Sequence, residues 1–326
     1  MTKGLLTTSV GSFPKADWLQ QARNKAARGE MSAQELDKLG QKATAYWIKV
    51  QDDLGIDILV DGEQYRGDMA TYFAENMEGF TISGLVRSYG NRYYKKPIAV
   101  GPVGRKNAIT IDWWKFAQGL TKKPVKGMLT GPYTIADWSF DEHYSSREAF
   151  VMALAQAVHE EALDLEKAGA KYIQIDEPAA SVRPEEMKLV AKGLKVVTQG
   201  LKAHTITHIC YGDFAKVFDD LIKLPVDQLD LETANRNYDI LALFKQKKDK
   251  FKGEIALGVT DVHSHVIEKK ADVIRGIKLG LEALPPERLY IDPDCGLKTR
   301  LEDEAIGKLK VMVEAVREVK KELGIE

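Results

Sequence analysis

Tyr172-Ile173-Gln174-Ile175-Asp176 is a short β-rich run set between two helical patterns. Before it lies Arg147–Ala168, whose Phe150, Leu154, Ala157, Ala162 and Leu165 fall near one stripe. After it lies Pro184–Leu201. A strand with a helix on either side predicts parallel pairing and right-handed crossovers, because only a long return path brings the next strand in alongside the first. The same unit recurs on both sides. The strand candidates are Leu5–Ser9, Asp57–Asp61, Val125–Thr130, Tyr172–Asp176, Thr205–Ile209, Gln228–Glu232, Glu254–Val259 and Leu289–Asp292, and the later helical patterns are Lys269–Leu284 and Glu302–Leu323. Eight such units predict an α/β chain folded as a (β/α)8 TIM-type barrel, a single catalytic domain over residues 1–326. A doubly wound open sheet is the alternative, but it would not bring eight strand ends round one centre. No Gly-x-Gly-x-x-Gly follows the first strand, so a dinucleotide site has no support.

Glu75–Asn107 breaks the rhythm with Phe80, Tyr89, Tyr93 and Tyr94 among Gly79, Gly84 and Gly90. It reads as a β-hairpin inserted between the second and third strands, either a cover for the barrel mouth or a structural flap. Composition narrows the function classes. The hydrophobic fraction of 44% supplies an ordinary core, and the formal net charge of -1 argues against nucleic acid as a main partner. No apolar run reaches the length of a membrane helix, and the start Met1–Thr8 has no apolar signal core. A cytoplasmic protein with no membrane partner is the expectation. The two cysteines are then expected to serve a metal or a reaction rather than a disulfide.

Polar residues gather where the strands end. Ser12, Glu63, Asp176, Cys210, Glu232, His263 and Cys295 lie at or just past C-terminal ends, the face of this barrel where active sites form. His208 and Cys210 are two apart at one such end, so their side chains point the same way. Taken singly they read as a core histidine and a buried thiol. Taken with Glu232 and Cys295 they make a four-ligand zinc set of two thiolates, an imidazole and a carboxylate. The spread over three strand ends differs from a zinc finger and suits chemistry. Glu232, the hardest donor, is the ligand an incoming thiol would displace or join. His263 stands in Asp261-Val262-His263-Ser264, where Asp261 is expected to orient the imidazole.

Nine runs, in order from near residue 5 to residue 300, carry a resemblance: Thr8-Ser9-Val10-Gly11-Ser12-Phe13-Pro14, Val60-Asp61-Gly62-Glu63, Ser88-Tyr89-Gly90-Asn91-Arg92, Thr130-Gly131-Pro132, Trp138-Ser139-Phe140, Gln174-Ile175-Asp176-Glu177-Pro178-Ala179, His208-Ile209-Cys210-Tyr211, Asp261-Val262-His263-Ser264 and Asp292-Pro293-Asp294-Cys295-Gly296-Leu297-Lys298-Thr299-Arg300. Together they resemble the catalytic half of cobalamin-independent methionine synthase. The resemblance implies zinc-dependent methyl transfer to L-homocysteine, giving L-methionine. It assigns zinc to His208, Cys210, Glu232 and Cys295, and homocysteine to Val10, Gly11, Ser12, Glu63 and Asp176. It makes His263 the proton donor and puts Arg92, Tyr93 and Trp138 near the methyl donor.

The chain departs from the family on the donor side. It is too short to hold the family's N-terminal half, Val182 stands where a pterin-binding glutamate is usual, and Tyr93 stands where cysteine is usual. A methyl-folate amine must be protonated to leave, whereas the cobalt of methylcobalamin leaves as a stable reduced ion. The expectation is therefore methylcobalamin or a methylated corrinoid protein as donor, with 5-methyltetrahydrofolate as the alternative. Two other readings stay open. One is a zinc transferase for another thiol such as coenzyme M, which would want cations where this chain has Glu63 and Asp176. The other is a non-catalytic zinc scaffold.

Overall fold

The computed structural model describes residues 4–87, 93–210, 212 and 214–325, the side chain of Tyr93 excepted. The strands are β1 (Met77–Arg87), β2 (Tyr93–Arg105), β3 (Gly127–Thr130), β4 (Phe140–Asp141), β5 (Tyr172–Asp176), β6 (His204–Ile209), β7 (Gln228–Leu231), β8 (Glu254–Gly258) and β9 (Leu289–Asp292). The chain forms two compact units, one of residues 1–65, 113–126 and 228–326, the other of residues 66–112 and 127–227.

In the first unit β7, β8 and β9 pair in parallel, Leu229 opposite Ile255 and Leu257 opposite Ile291. Thr7 continues the parallel series beside Ile291, and Leu59 pairs in parallel with Val125. Leu5–Ser9 and Asp57–Asp61, expected as strands, make only isolated bridges at Thr7 and Leu59 rather than a regular ladder, and Leu5 itself stands in the left-handed region at φ 52°. The reason is side-chain competition for their backbone groups. Asp57 Oδ2 accepts Thr7 N–H at 2.8 Å, Thr7 Oγ1 accepts Asp57 N–H at 3.1 Å, and Gln51 takes both the N–H and the C=O of Val60. Helix Ala33–Leu54 opens on a Ser32–Glu35 capping box and ends at Gly55 with φ 87°. It buries Trp47 against Phe13, the rings stacked with centroids 4.5 Å apart. Helices Lys270–Ala283 and Glu302–Leu323 fall within a residue of their sequence patterns.

In the second unit β3, β5 and β6 pair in parallel, Leu129 opposite Ile175 and Ile173 opposite Thr205. Their residues are buried almost throughout, as a parallel sheet covered on both faces requires. Helix Arg147–Ala168 has the bounds its pattern gave, capped by Ser146 and closed by Gly169. The pattern Pro184–Leu201 resolves differently: a 3-10 turn Pro184–Glu186 leads into a helix Met187–Val197. β1 and β2 form an antiparallel pair within Glu75–Asn107, with β4 parallel to β2. No helix among the described residues is long and apolar enough to cross a membrane.

Candidate active site

β6 carries His208 and Cys210 to its C-terminal end in the second unit. Alternation along the strand turns both side chains to one side, and their ligand atoms lie within 4.8 Å of each other. Both are buried. Their backbone is tied to the segment that follows β5: His208 C=O accepts Glu177 N–H at 2.9 Å, and Ser181 Oγ donates to Cys210 C=O at 2.7 Å. An imidazole and a thiol this close, both withdrawn from water, suit zinc, which takes nitrogen and sulfur donors at roughly 2.0 and 2.3 Å.

Asp176 ends β5 in the same unit, buried, with Oδ1 accepting Gln174 Nε2 at 2.7 Å. The residue after it, Glu177, is wholly buried. It accepts Tyr133 N–H at 3.1 Å, Thr134 N–H at 2.7 Å and Thr134 Oγ1 at 2.7 Å. Burial pushes its carboxyl up to about 7 against the pull of those donors. Gly131 is required here, since a Cβ would lie 2.1 Å from Glu177 Cδ. Trp138 caps the helix Pro132–Asp137 and is half-buried. Val182 ends the 3-10 turn Pro178–Val182 with 69% of its surface exposed. Arg92 lies outside the described residues, as does the Tyr93 side chain.

In the first unit the structure draws Ser12, Glu63 and the Cys295 loop together. Ser12 bridges Gly62 in parallel, Phe13 N–H donates to Gly62 C=O at 3.1 Å, and Leu297 N–H donates to Ser12 C=O at 2.7 Å. Ser12 Oγ packs over Gly296, where a Cβ would stand 2.1 Å from it. Val10 and Gly11 are buried beside them. Glu63 sits in the left-handed region, φ 55°, directly after Gly62 at φ 77°. A non-glycine residue there is strained. Lys15 Nζ holds the Glu63 carbonyl at 3.1 Å, and Asp61 Oδ1 takes its N–H at 2.9 Å.

Glu232, just past β7, is buried. Its Oε1 meets Asn235 Nδ2 and, at 3.2 Å, His263 Nε2. The His263 ring thus faces Glu232. Asp261, expected to orient that ring, accepts the backbone N–H of His263 at 2.8 Å in an Asx turn. Asp294, the neighbour of Cys295, accepts three backbone N–H groups: Thr233 at 2.9 Å, Ala234 at 2.8 Å and Asn235 at 2.8 Å. Burial pushes its carboxyl up to about 7 while those donors pull it down. Asn235, Glu177 and Asp294 were not singled out from sequence. The two acids stand beside expected site residues at strand ends, which is the one signal the sequence held for them.

The family model described as "Cobalamin-independent synthase, Catalytic domain" matches residues 5–318. The 5-methyltetrahydropteroyltriglutamate–homocysteine methyltransferase of Neisseria gonorrhoeae is 38% identical over 98% of this chain and 44% of its own length. The enzyme of that name from Buchnera aphidicola is 39% identical over 96% of this chain and 43% of its own length. The chain therefore spans less than half the length of these curated relatives. A B12-independent methionine synthase from a Shewanella species, solved in complex with selenomethionine, superposes with a TM-score of 0.88 at 28% identity, covering 99% of this chain and 100% of that one. A methyltransferase from Methanosarcina mazei shares the fold, with a TM-score of 0.67 at 15% identity.

Proposed function

Because the chain belongs to the family of cobalamin-independent synthase catalytic domains, we propose that it is a methionine synthase, a methyltransferase that moves a methyl group onto the sulfur of L-homocysteine to form L-methionine. The working unit is one (β/α)8 barrel over residues 1–326, with the Glu75–Asn107 segment inserted between its second and third strands, acting in the cytoplasm. Zinc is held by His208, Cys210, Glu232 and Cys295. When bound, the ion keeps a thiol deprotonated near neutral pH. The observation that carries this reading is the buried imidazole–thiol pair His208 and Cys210 at one strand end.

The remaining residues act on the amino acid. Glu63 and Asp176 pair with its ammonium through charge-assisted hydrogen bonds. The Val10–Ser12 backbone and the Ser12 hydroxyl fix the rest of the molecule, so that sulfur and methyl lie in line. The carbon–sulfur bond forms as the bond from methyl to its carrier breaks, and the electron pair leaves with the carrier. His263, hydrogen-bonded to Glu232, supplies a proton where the leaving group is an amine. Selenomethionine bound to the Shewanella relative supports a product of this class.

The names of the curated relatives carry methyltetrahydropteroyltriglutamate as donor, and methyl-folate is one candidate for this chain. Val182 favours the other. It places an exposed apolar side chain, 69% accessible, where the family pattern has a pterin-holding carboxylate. A donor whose leaving group needs neither that carboxylate nor a proton fits better, so methylcobalamin or a methylated corrinoid protein is the assigned donor. Single-turnover assays with zinc-loaded protein and homocysteine decide it. Methionine from methylcobalamin faster than from the methyl-folate triglutamate is the expected result, and the reverse order overturns the donor assignment while leaving homocysteine methylation intact.

A further inference from the structure

We infer that Asp294 is a positioning residue for the metal, a buried clamp that sets Glu232 and Cys295 relative to one another. The inference rests on the zinc assignment above and concerns the first unit alone. Asp294 directly precedes Cys295. Its Oδ1 accepts Thr233 N–H and Ala234 N–H at 2.9 and 2.8 Å, and its Oδ2 accepts Asn235 N–H at 2.8 Å. Those three donors are the turn that starts immediately after Glu232. One carboxylate thus joins the loop bearing the carboxylate ligand to the loop bearing the sulfur ligand.

A third strand end closes the clamp. Thr233 Oγ1 donates to Gly258 C=O at 2.5 Å, and Asp294 N–H donates to Thr260 C=O at 3.0 Å. Gly258 is the contact point, since a Cβ there would stand 2.2 Å from Asp294 Oδ1 and 2.7 Å from its Cα. Asn235, the last of the three donors, also holds Glu232 Oε1 through its side chain. The three links to the Asp294 carboxyl are short, and they are closed to water, because Asp294 is 0% exposed. Outer residues of this kind fix ligand geometry, and their loss commonly costs ~10–100-fold in metal affinity.

Asp294→Asn tests the clamp. The change keeps shape but leaves one oxygen to receive three N–H groups and adds a donor that faces them. Zinc affinity is measured by chelator competition, with wild type, D294N, Gly258→Ala and a control, Asp57→Asn. Asp57 is also in the first unit and also accepts a backbone N–H and a hydroxyl, from Thr7, so D57N weakens a comparable link away from the ligands. D294N and G258A are each expected to raise the zinc dissociation constant at least ~10-fold, with D57N within about twofold of wild type. G258A carries the test if D294N does not fold. D294N or G258A binding as tightly as wild type overturns the clamp, and so does D57N weakening zinc as much as they do. Failure of the wild type to bind zinc overturns the metal assignment instead.

Discussion

Glu63→Gly is expected to leave the protein at least as stable as the wild type while removing its hold on homocysteine. Glu63 has φ 55°, a conformation that glycine adopts freely and glutamate does not. Relief of that backbone strain is worth about 1–2 kcal/mol. Against it stands the extra freedom of glycine in the unfolded chain, about 0.5–1 kcal/mol. The net expectation is a change between roughly zero and 1.5 kcal/mol in the stabilising direction. An exposed helical site in the same unit, Glu314→Gly, supplies the contrast: it should cost about 1 kcal/mol, because there glycine brings the entropy penalty and no relief. Urea unfolding of the metal-free proteins reads this out, followed by tryptophan fluorescence, to which the buried Trp47 beside Gly62 contributes. On the binding side, loss of a charge-assisted hydrogen bond worth about 1.5–3 kcal/mol raises the homocysteine dissociation constant roughly 10- to 150-fold, measured by calorimetry on zinc-loaded protein. A loss of stability as large as that of E314G refutes the strain argument. Unchanged homocysteine affinity removes Glu63 from the site.

The ligand set makes its own prediction: Cys210→Ser and Cys295→Ser should each lose bound zinc, by elemental analysis, together with methyl transfer, and one zinc per chain at a normal rate in both variants contradicts it. The buried Glu177 carboxyl bears on pH. Its folded value of about 7 lies above its ordinary 4.5, so the protonated form favours the fold. That contribution is complete below about 4.5 and lost as pH rises through about 7. Metal-free wild type should therefore lose more melting temperature between those limits than Glu177→Gln does. Parallel curves for the two proteins count against an uncharged Glu177.

Much of this architecture was legible in local pattern. Tyr172–Asp176 and Leu289–Asp292 have the bounds that their alternating apolar residues gave, and Arg147–Ala168 and Glu302–Leu323 do as well. These segments carry their own start and stop signals, such as Ser146 and Gly169. Leu5–Ser9 and Asp57–Asp61 read as ordinary strands because their composition does not reveal that Asp57 and Gln51 take over backbone hydrogen bonds. The site followed the same division. His208 and Cys210 announce themselves by spacing on one strand. The Asp294 clamp does not, because three N–H groups 59 to 61 positions away become its partners only when the strand ends meet. The His263 ring is a further instance: Glu232, which it meets, lies 31 residues away in the chain, and no local pattern points to it.

The central claim is that homocysteine sulfur is methylated at a zinc ion held by this chain. Its most direct test is methionine formation, followed by mass spectrometry with a labelled methyl donor, on protein stripped of metal and then reloaded. The account predicts that label reaches methionine in the zinc-loaded protein, falls to background on stripping, and returns with one equivalent of zinc. Full activity in a preparation that elemental analysis finds free of metal would contradict it.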